Sequence, residues 1–208
     1  MHRHEDLLKD LNYEGLIPNE MMFSWFNDRF STSKHLLTLY SIARGLNAKK
    51  VLEVGFGRSS FVLARAVHEN GGKLITCDHR DFSYLLSKRE KEVIDYKRCL
   101  SDKLWPEVEN ESLDFAFLDY FSGEKVSKSF VEKEIELCLL KMKGNGVIAV
   151  HDVFDDRFKV GDVLTKYSKK LIKPITYSYL PYNYGLGIIH VNVRGKKIVK
   201  QDQFLKQD

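Results

Sequence analysis

The chain is short of every feature that would place it quickly in a specialised class. It has three cysteines, Cys77, Cys99 and Cys138, with no Cys-x-x-Cys spacing and apolar or strand-like neighbours. This argues against a cysteine metal cluster and predicts reduced core thiols in a cytoplasmic protein. No apolar run approaches the ~20 residues of a membrane span, so no membrane partner is expected. The first residues are charged, unlike a signal peptide. Charge of one sign is scarce too: 33 Lys and Arg face 29 Asp and Glu, a formal net charge of +4. No basic run stands apart from the acids, and nucleic acid is not an expected partner. Repeats and low-complexity linkers are also missing.

What is present is an ordinary globular balance, 43% hydrophobic and 30% charged over 208 residues. That length suits one α/β domain and is short for two. Residues 5–46 read as helical, and residues 1–46 form an N-terminal helical cap that is part of the same domain as the core. Phe23, Phe26 and Phe30 share one helical face after Asn19. Leu36, Leu39, Ala43 and Leu46 share another, with Ser31 or Ser33 as its cap. From residue 47 the pattern alternates. Strands are expected at 51–54, 73–77, 95–99, 113–118 and 147–150, with helices near 59–69, 82–92, 124–142 and 158–170. Val131, Ile135, Cys138, Leu139 and Met142 form the core stripe of the third helix. Two more strands, 174–180 and 185–193, are too close for a crossover helix and must pair antiparallel. The expected fold is a Rossmann-like, doubly wound sheet of seven strands, mostly parallel with a C-terminal antiparallel hairpin and helices on both faces. The core spans 47–193, and 194–208 is a polar tail.

The most informative run is Val51-Leu52-Glu53-Val54-Gly55-Phe56-Gly57-Arg58-Ser59-Ser60, a strand, a glycine turn and a helix start. Glycines there bring backbone N–H groups close to a ligand. Glu53 would repel a pyrophosphate but suits a ligand bearing ammonium or sulfonium charge. Further along, polar residues recur at the expected carboxyl ends of the strands: Asp78-His79, Ser101-Asp102, Asp119-Tyr120 and His151-Asp152. In an open parallel sheet, ligands bind beyond those ends. Asp78 lies 21 residues after Gly57, where a carboxylate can accept both ribose hydroxyls.

Apolar-apolar-Glu-x-Gly-x-Gly resembles the first motif of the class I S-adenosylmethionine (SAM) methyltransferases, and the likeness in order and spacing covers about residues 31–193. The resemblance implies that Glu53, Gly55 and Gly57 hold the methionyl end of SAM, with Ser60 a further cofactor-binding residue. Asp78 would take the ribose and Asp102 the adenine amino group, with His79 and Asp119 lining the same groove. The runs Phe117-Leu118-Asp119-Tyr120 and Ala149-Val150-His151-Asp152 resemble the metal-dependent O-methyltransferases of the catechol type and their sugar- and macrolide-modifying relatives. In that family, acids at these positions hold a divalent cation that lowers the pKa of the substrate hydroxyl. Asp119 and Asp152 are then the candidate ligands. Two departures stand out. His151 replaces the usual acid and suits manganese, iron or zinc better than magnesium. Ser122 replaces the family's catalytic lysine. His151 is an alternative general base, its ordinary pKa being near neutrality.

The expected activity is therefore SAM-dependent O-methylation of a small-molecule hydroxyl by in-line transfer, with Asp119 and His151 as catalytic residues. Two alternatives share some of these features: an NAD-dependent oxidoreductase, with Ser60 as the third small residue, and a non-catalytic SAM-binding domain. Tyr177, Tyr179, Tyr182 and Tyr184 near the final hairpin read chiefly as packing, as do Met22, Phe23, Trp25 and Phe26. Lys166, Lys169, Lys170 and Lys173 read as a solvated face. Acceptor identity and any homo-oligomer leave no mark in the sequence.

Overall fold

The computed structural model describes residues 32–119, 126–167 and 175–192. A 3-10 turn, Thr32–His35, leads into α1 (Leu36–Gly45). Next come β1 (Lys50–Val54), α2 (Arg58–Glu69), β2 (Lys73–Asp78), α3 (Lys88–Val93), β3 (Ile94–Arg98), α4 (Ser101–Leu104) and β4 (Leu113–Leu118). The chain continues through α5 (Lys128–Lys141), β5 (Met142–His151), α6 (Val160–Tyr167), β6 (Ile175–Leu180) and β7 (Leu186–Val191).

The strands form a single sheet in the order β3-β2-β1-β4-β5-β7-β6. β1 to β5 are parallel, and β7 runs antiparallel between β5 and β6. This is the expected doubly wound sheet with its C-terminal hairpin. The strand order reverses between β1 and β4, so a crevice opens at their carboxyl ends. Alternate residues of the central strands feed two apolar layers. Leu52, Val54, Ala116, Leu118, Ile148 and Val150 pack with α5 and α6 on one face. Val51, Phe115, Phe117, Val147 and Ala149 pack with α1 and α2 on the other. The expected stripe is wholly buried, with Val131, Ile135, Cys138 and Leu139 on α5 and Met142 at the start of β5.

Local rules explain most element ends. Ser87 and Glu90 form a reciprocal capping box that starts α3. Ser127 accepts the Phe130 amide at 3.2 Å and starts α5 four residues later than the sequence pattern suggested. Gly144-Asn145-Gly146 is an irregular stretch of β5. Leu113 pairs with Met142 and Phe115 with Val147, with a register shift between them. At this amino edge the Asp114 carboxylate accepts the backbone amides of Lys49 and Lys50, both at 2.9 Å, and the Lys143 ammonium at 2.6 Å.

Three helix details differ from expectation. Leu46 follows α1 as a partly exposed cap residue instead of extending its buried stripe, because the helix stops at Gly45. Ser33 lies inside the 3-10 turn and accepts from the Arg58 guanidinium at 3.1 Å, so it does not cap α1. Ser101–Leu104 is a short helix that periodicity did not reveal. Expectations for Met22 to Ser31, Tyr120, Ser122, Lys169, Lys170, Lys173 and the tail 194–208 lie outside the described residues. The described part of the cap is therefore residues 32–46. Among the described residues no helix is long and apolar enough to cross a membrane. Cys77 and Cys138 are buried, Cys99 is partly so, and all three are free thiols.

Candidate active site

A cavity of about 320 Å³ lies at the carboxyl ends of β1, β2, β4 and β5. Gly55, Phe56, Gly57, Ser59 and Asp78 line one part, and Asp119, His151, Asp152, Phe158 and Tyr184 another; Thr32, Arg58 and Arg157 complete it. The topology explains the gathering. Each of these strands delivers a loop to the same edge of the sheet, and the Asp119 amide continues the β1–β4 ladder by donating to the Val54 carbonyl at 2.9 Å.

The glycine turn is organised from beneath. Gly55 has φ +97°, a conformation that disfavours any side chain. Gly57 is extended, so its lack of a side chain matters for a different reason: a Cβ there would meet nothing within 4 Å and would project into open space. Three successive amides of this turn already have partners. Gly55 donates to the Cys77 carbonyl at 2.9 Å, Phe56 to the Asp78 carboxylate at 3.3 Å and Gly57 to the Ser60 hydroxyl at 3.0 Å. The turn is thus no cradle of bare N–H groups for a pyrophosphate, which argues against the nicotinamide reading.

Glu53 lies beneath the turn. It is fully buried, and its carboxylate accepts from Ser59 at 2.6 Å, from Thr76 at 2.9 Å and from Ser60. Burial pushes its pKa up to about 8 against the opposing pull of these hydroxyls, with the Asp119 charge adding to the rise. Glu53 therefore stiffens the turn, and neither it nor Ser60 lines the cavity.

Asp78 does line the cavity, at the end of β2. One oxygen accepts the Phe56 amide and the other the Arg80 amide at 2.8 Å. His79, half exposed, turns its Nδ1 to Asp78 at 3.2 Å and stays outside the cavity. Asp102 stands on α4, exposed beside Lys103, and also lies outside. Phe56 packs against Phe61, Phe82 and Tyr96, with ring centroids 5.2–5.6 Å apart, and so gives the Asp78 end an aromatic wall.

At the other end, His151 Nδ1 stands 3.3 Å from an Asp119 oxygen and 3.0 Å from an Asp152 oxygen. Asp152 adopts φ +58°, an uncommon conformation outside glycine that recurs at functional sites. Burial alone would lower the His151 pKa, but hydrogen bonds to Asp119 and Asp152, and their charges, raise it to about 10. Two carboxylates thus face the same ring nitrogen. Burial raises the pKa of Asp152 as well, and the His151 contact opposes the rise.

Sequence reasoning missed Thr32, Phe56, Arg58, Ser59, Arg157 and Phe158 as lining residues and gave Tyr184 to packing. Phe56, Arg58 and Ser59 sit inside the very motif it singled out. The others come from loops whose approach only tertiary structure reveals.

Comparison with known proteins agrees with this geometry. Residues 52–153 match a family model described as a methyltransferase domain. A search of curated proteins finds no match. Among solved structures, the SAH-bound methyltransferase PaMTH1 of Podospora anserina is 18% identical, covering 85% of this chain and 89% of that one, with a TM-score of 0.62. The O-methyltransferase TomG of Streptomyces achromogenes, involved in tomaymycin synthesis and solved with SAM, is 17% identical over 93% of this chain and 100% of its own, also with a TM-score of 0.62. An O-methyltransferase of Bacillus cereus, in complex with SAH, is 15% identical over 91% and 96%, again at 0.62. Strand order and these neighbours give the chain the fold of the class I SAM-dependent methyltransferases, and its residues 52–153 match the methyltransferase-domain family.

Proposed function

We propose that this protein transfers the methyl group of SAM to a hydroxyl of a small-molecule acceptor. The observation that carries this reading is one continuous cavity. It joins the Gly55–Gly57 turn and Asp78 to the Asp119–His151–Asp152 cluster. Asp78 would accept the ribose hydroxyls, and the open space above Gly57 would receive the methionyl portion. The acceptor hydroxyl would lie by Asp119 with Tyr184 beside it. Its oxygen attacks the methyl carbon in line, the carbon–sulfur electron pair leaves with sulfur, and the hydroxyl proton passes to an Asp119 oxygen. Holding both reactants in one site supplies much of the rate. That TomG and the Bacillus cereus protein are O-methyltransferases supports oxygen as the receiving atom.

Asp119, His151 and Asp152 also fit a divalent cation. One ligand atom from each lies within 4.8 Å of the others. The 3.0 and 3.3 Å separations match the spacing of about 3 Å between adjacent ligands of an octahedral ion held at about 2.1 Å. Two carboxylates with an imidazole favour manganese, iron or zinc over magnesium. Bound there, such an ion would orient the acceptor hydroxyl and lower its pKa. Three free thiols suit a reducing compartment, and we place the reaction in the cytoplasm.

Calorimetry with SAM, SAH and NAD, followed by a labelled-methyl assay on catechol and sugar acceptors, tests the proposal. SAM and SAH should bind and NAD should not. Binding of NAD without SAM would overturn the reading, and SAM binding without transfer to any hydroxyl would favour a non-catalytic SAM-binding domain.

A further inference from the structure

We infer that His35 is a positioning residue of this site: from the N-terminal turn it fixes the Tyr182–Gly185 loop and the ring of His151. The inference rests on the reading of the cavity given above, since Tyr184 and His151 belong to its acceptor end.

His35 precedes the matched domain, yet it is fully buried against that domain's site. Its Nε2 lies 2.8 Å from the Tyr182 carbonyl, 147 residues away in sequence. A carbonyl only accepts, so Nε2 carries the hydrogen and Nδ1 of the neutral ring keeps its lone pair. The ring meets His151 edge to face, with centroids 5.4 Å apart at 68°. His35 Nδ1 and His151 Nε2 are both buried without a hydrogen-bond partner. An orphaned buried nitrogen costs about 1–3 kcal/mol. Here two occur on two touching rings, where a single change of ring pose would affect both.

The loop that His35 grips is itself strained. Asn183, Tyr184 and Gly185 have φ of +44°, +63° and +84°, three left-handed residues in succession. Such conformations persist where surrounding contacts over-determine them. Phe154 donates to the Tyr184 carbonyl and Gly185 to the Tyr182 carbonyl, both at 2.8 Å. The first tie comes from the segment after β5, and the second closes the loop on itself. His35 adds one from the opposite end of the chain, and Tyr184 lines the cavity as a result.

The test uses the full chain and its His35→Leu and His35→Gln variants. The glutamine amide can renew the bond to Tyr182 but offers no ring to His151. Hydrogen exchange at the Gly185 amide and long-range ¹H–¹⁵N spectra of the His151 ring are the readouts, since a merely structural loss would lower the melting temperature and leave both alone. His35→Leu should speed Gly185 exchange by about tenfold or more and shift the His151 resonances. His35→Gln should restore protection at Gly185 while the His151 resonances remain shifted. Wild-type exchange and spectra in His35→Leu would overturn the inference. So would a wild-type His35 protonated at Nδ1 instead of Nε2, a measurement that needs no variant to fold. SAM calorimetry on the wild type separates the two ideas: absent SAM binding sinks the proposed function, whereas these readouts judge His35 alone.

Discussion

Glu53 and Thr76 are register partners on β1 and β2, and the Thr76 hydroxyl donates to the Glu53 carboxylate at 2.9 Å inside a fully buried layer. With Ser59 and Ser60 this makes a polar knot directly under the glycine turn. Its consequence is a pH dependence of stability. The folded pKa of Glu53, about 8, exceeds its ordinary value of 4.5, so the folded state holds a proton that the unfolded chain has released. Stability from this group is full below pH 4.5 and declines as pH rises towards 8. Glu53→Gln, which is neutral throughout, should gain on the wild type across that window by an amount on the order of a few kcal/mol. Urea denaturation from pH 5 to 8.5 checks this; parallel profiles for the two proteins would contradict it.

The two glycines of the turn should fail differently. Gly57→Leu should fold with an unchanged melting temperature but lose SAM affinity at least about tenfold, roughly 1.4 kcal/mol, because its side chain fills the open space. Gly55→Ala should lose about 1–3 kcal/mol of stability, because φ +97° strains a residue with a Cβ. Thermal melts paired with calorimetry distinguish the outcomes.

Asp78→Ala removes the acceptor of the Phe56 and Arg80 amides together with the proposed ribose contact. SAM affinity should fall about tenfold to a hundredfold, while Asp78→Asn, which keeps one oxygen, should fall less. Equal affinity in all three proteins would remove Asp78 from the site.

Manganese should bind the wild type, and Asp119→Asn and Asp152→Asn should each weaken it by about a hundredfold, since a carboxylate ligand becomes a neutral amide. Electron paramagnetic resonance of the free ion measures this directly. Unchanged manganese binding in both variants would show that the cluster does not hold the ion.

The fold was largely legible because its signals are local. Continuous apolar strands such as Val147–Val150, the period of α5 and the Gly55–Gly57 turn need no tertiary information. The carboxyl ends of strands likewise pointed to Asp78, Asp119, His151 and Asp152, which the structure does bring to one cavity. Orientation was not legible. Glu53 sits on a strand whose alternate side chains face opposite layers, and only the packing of α2 brings Ser59 and Ser60 to it. The raised pKa of His151 depends on Asp119, brought from the end of the neighbouring strand β4. His35 and Arg157 carry no pattern of their own, because what places them is the approach of loops distant in sequence.

Asp114 gathers the Lys49 and Lys50 amides and the Lys143 ammonium at the sheet's amino edge, away from the cavity. Asp114→Ala should therefore cost about 1–3 kcal/mol in denaturation yet leave SAM affinity intact. Such a clasp splits the labour of the molecule between its two rims. One rim is cinched and keeps the strands aligned, so insertions and exchanges in the loops of the opposite rim can accumulate without loosening the sheet. New acceptors can be acquired there while the scaffold that presents them stays fixed.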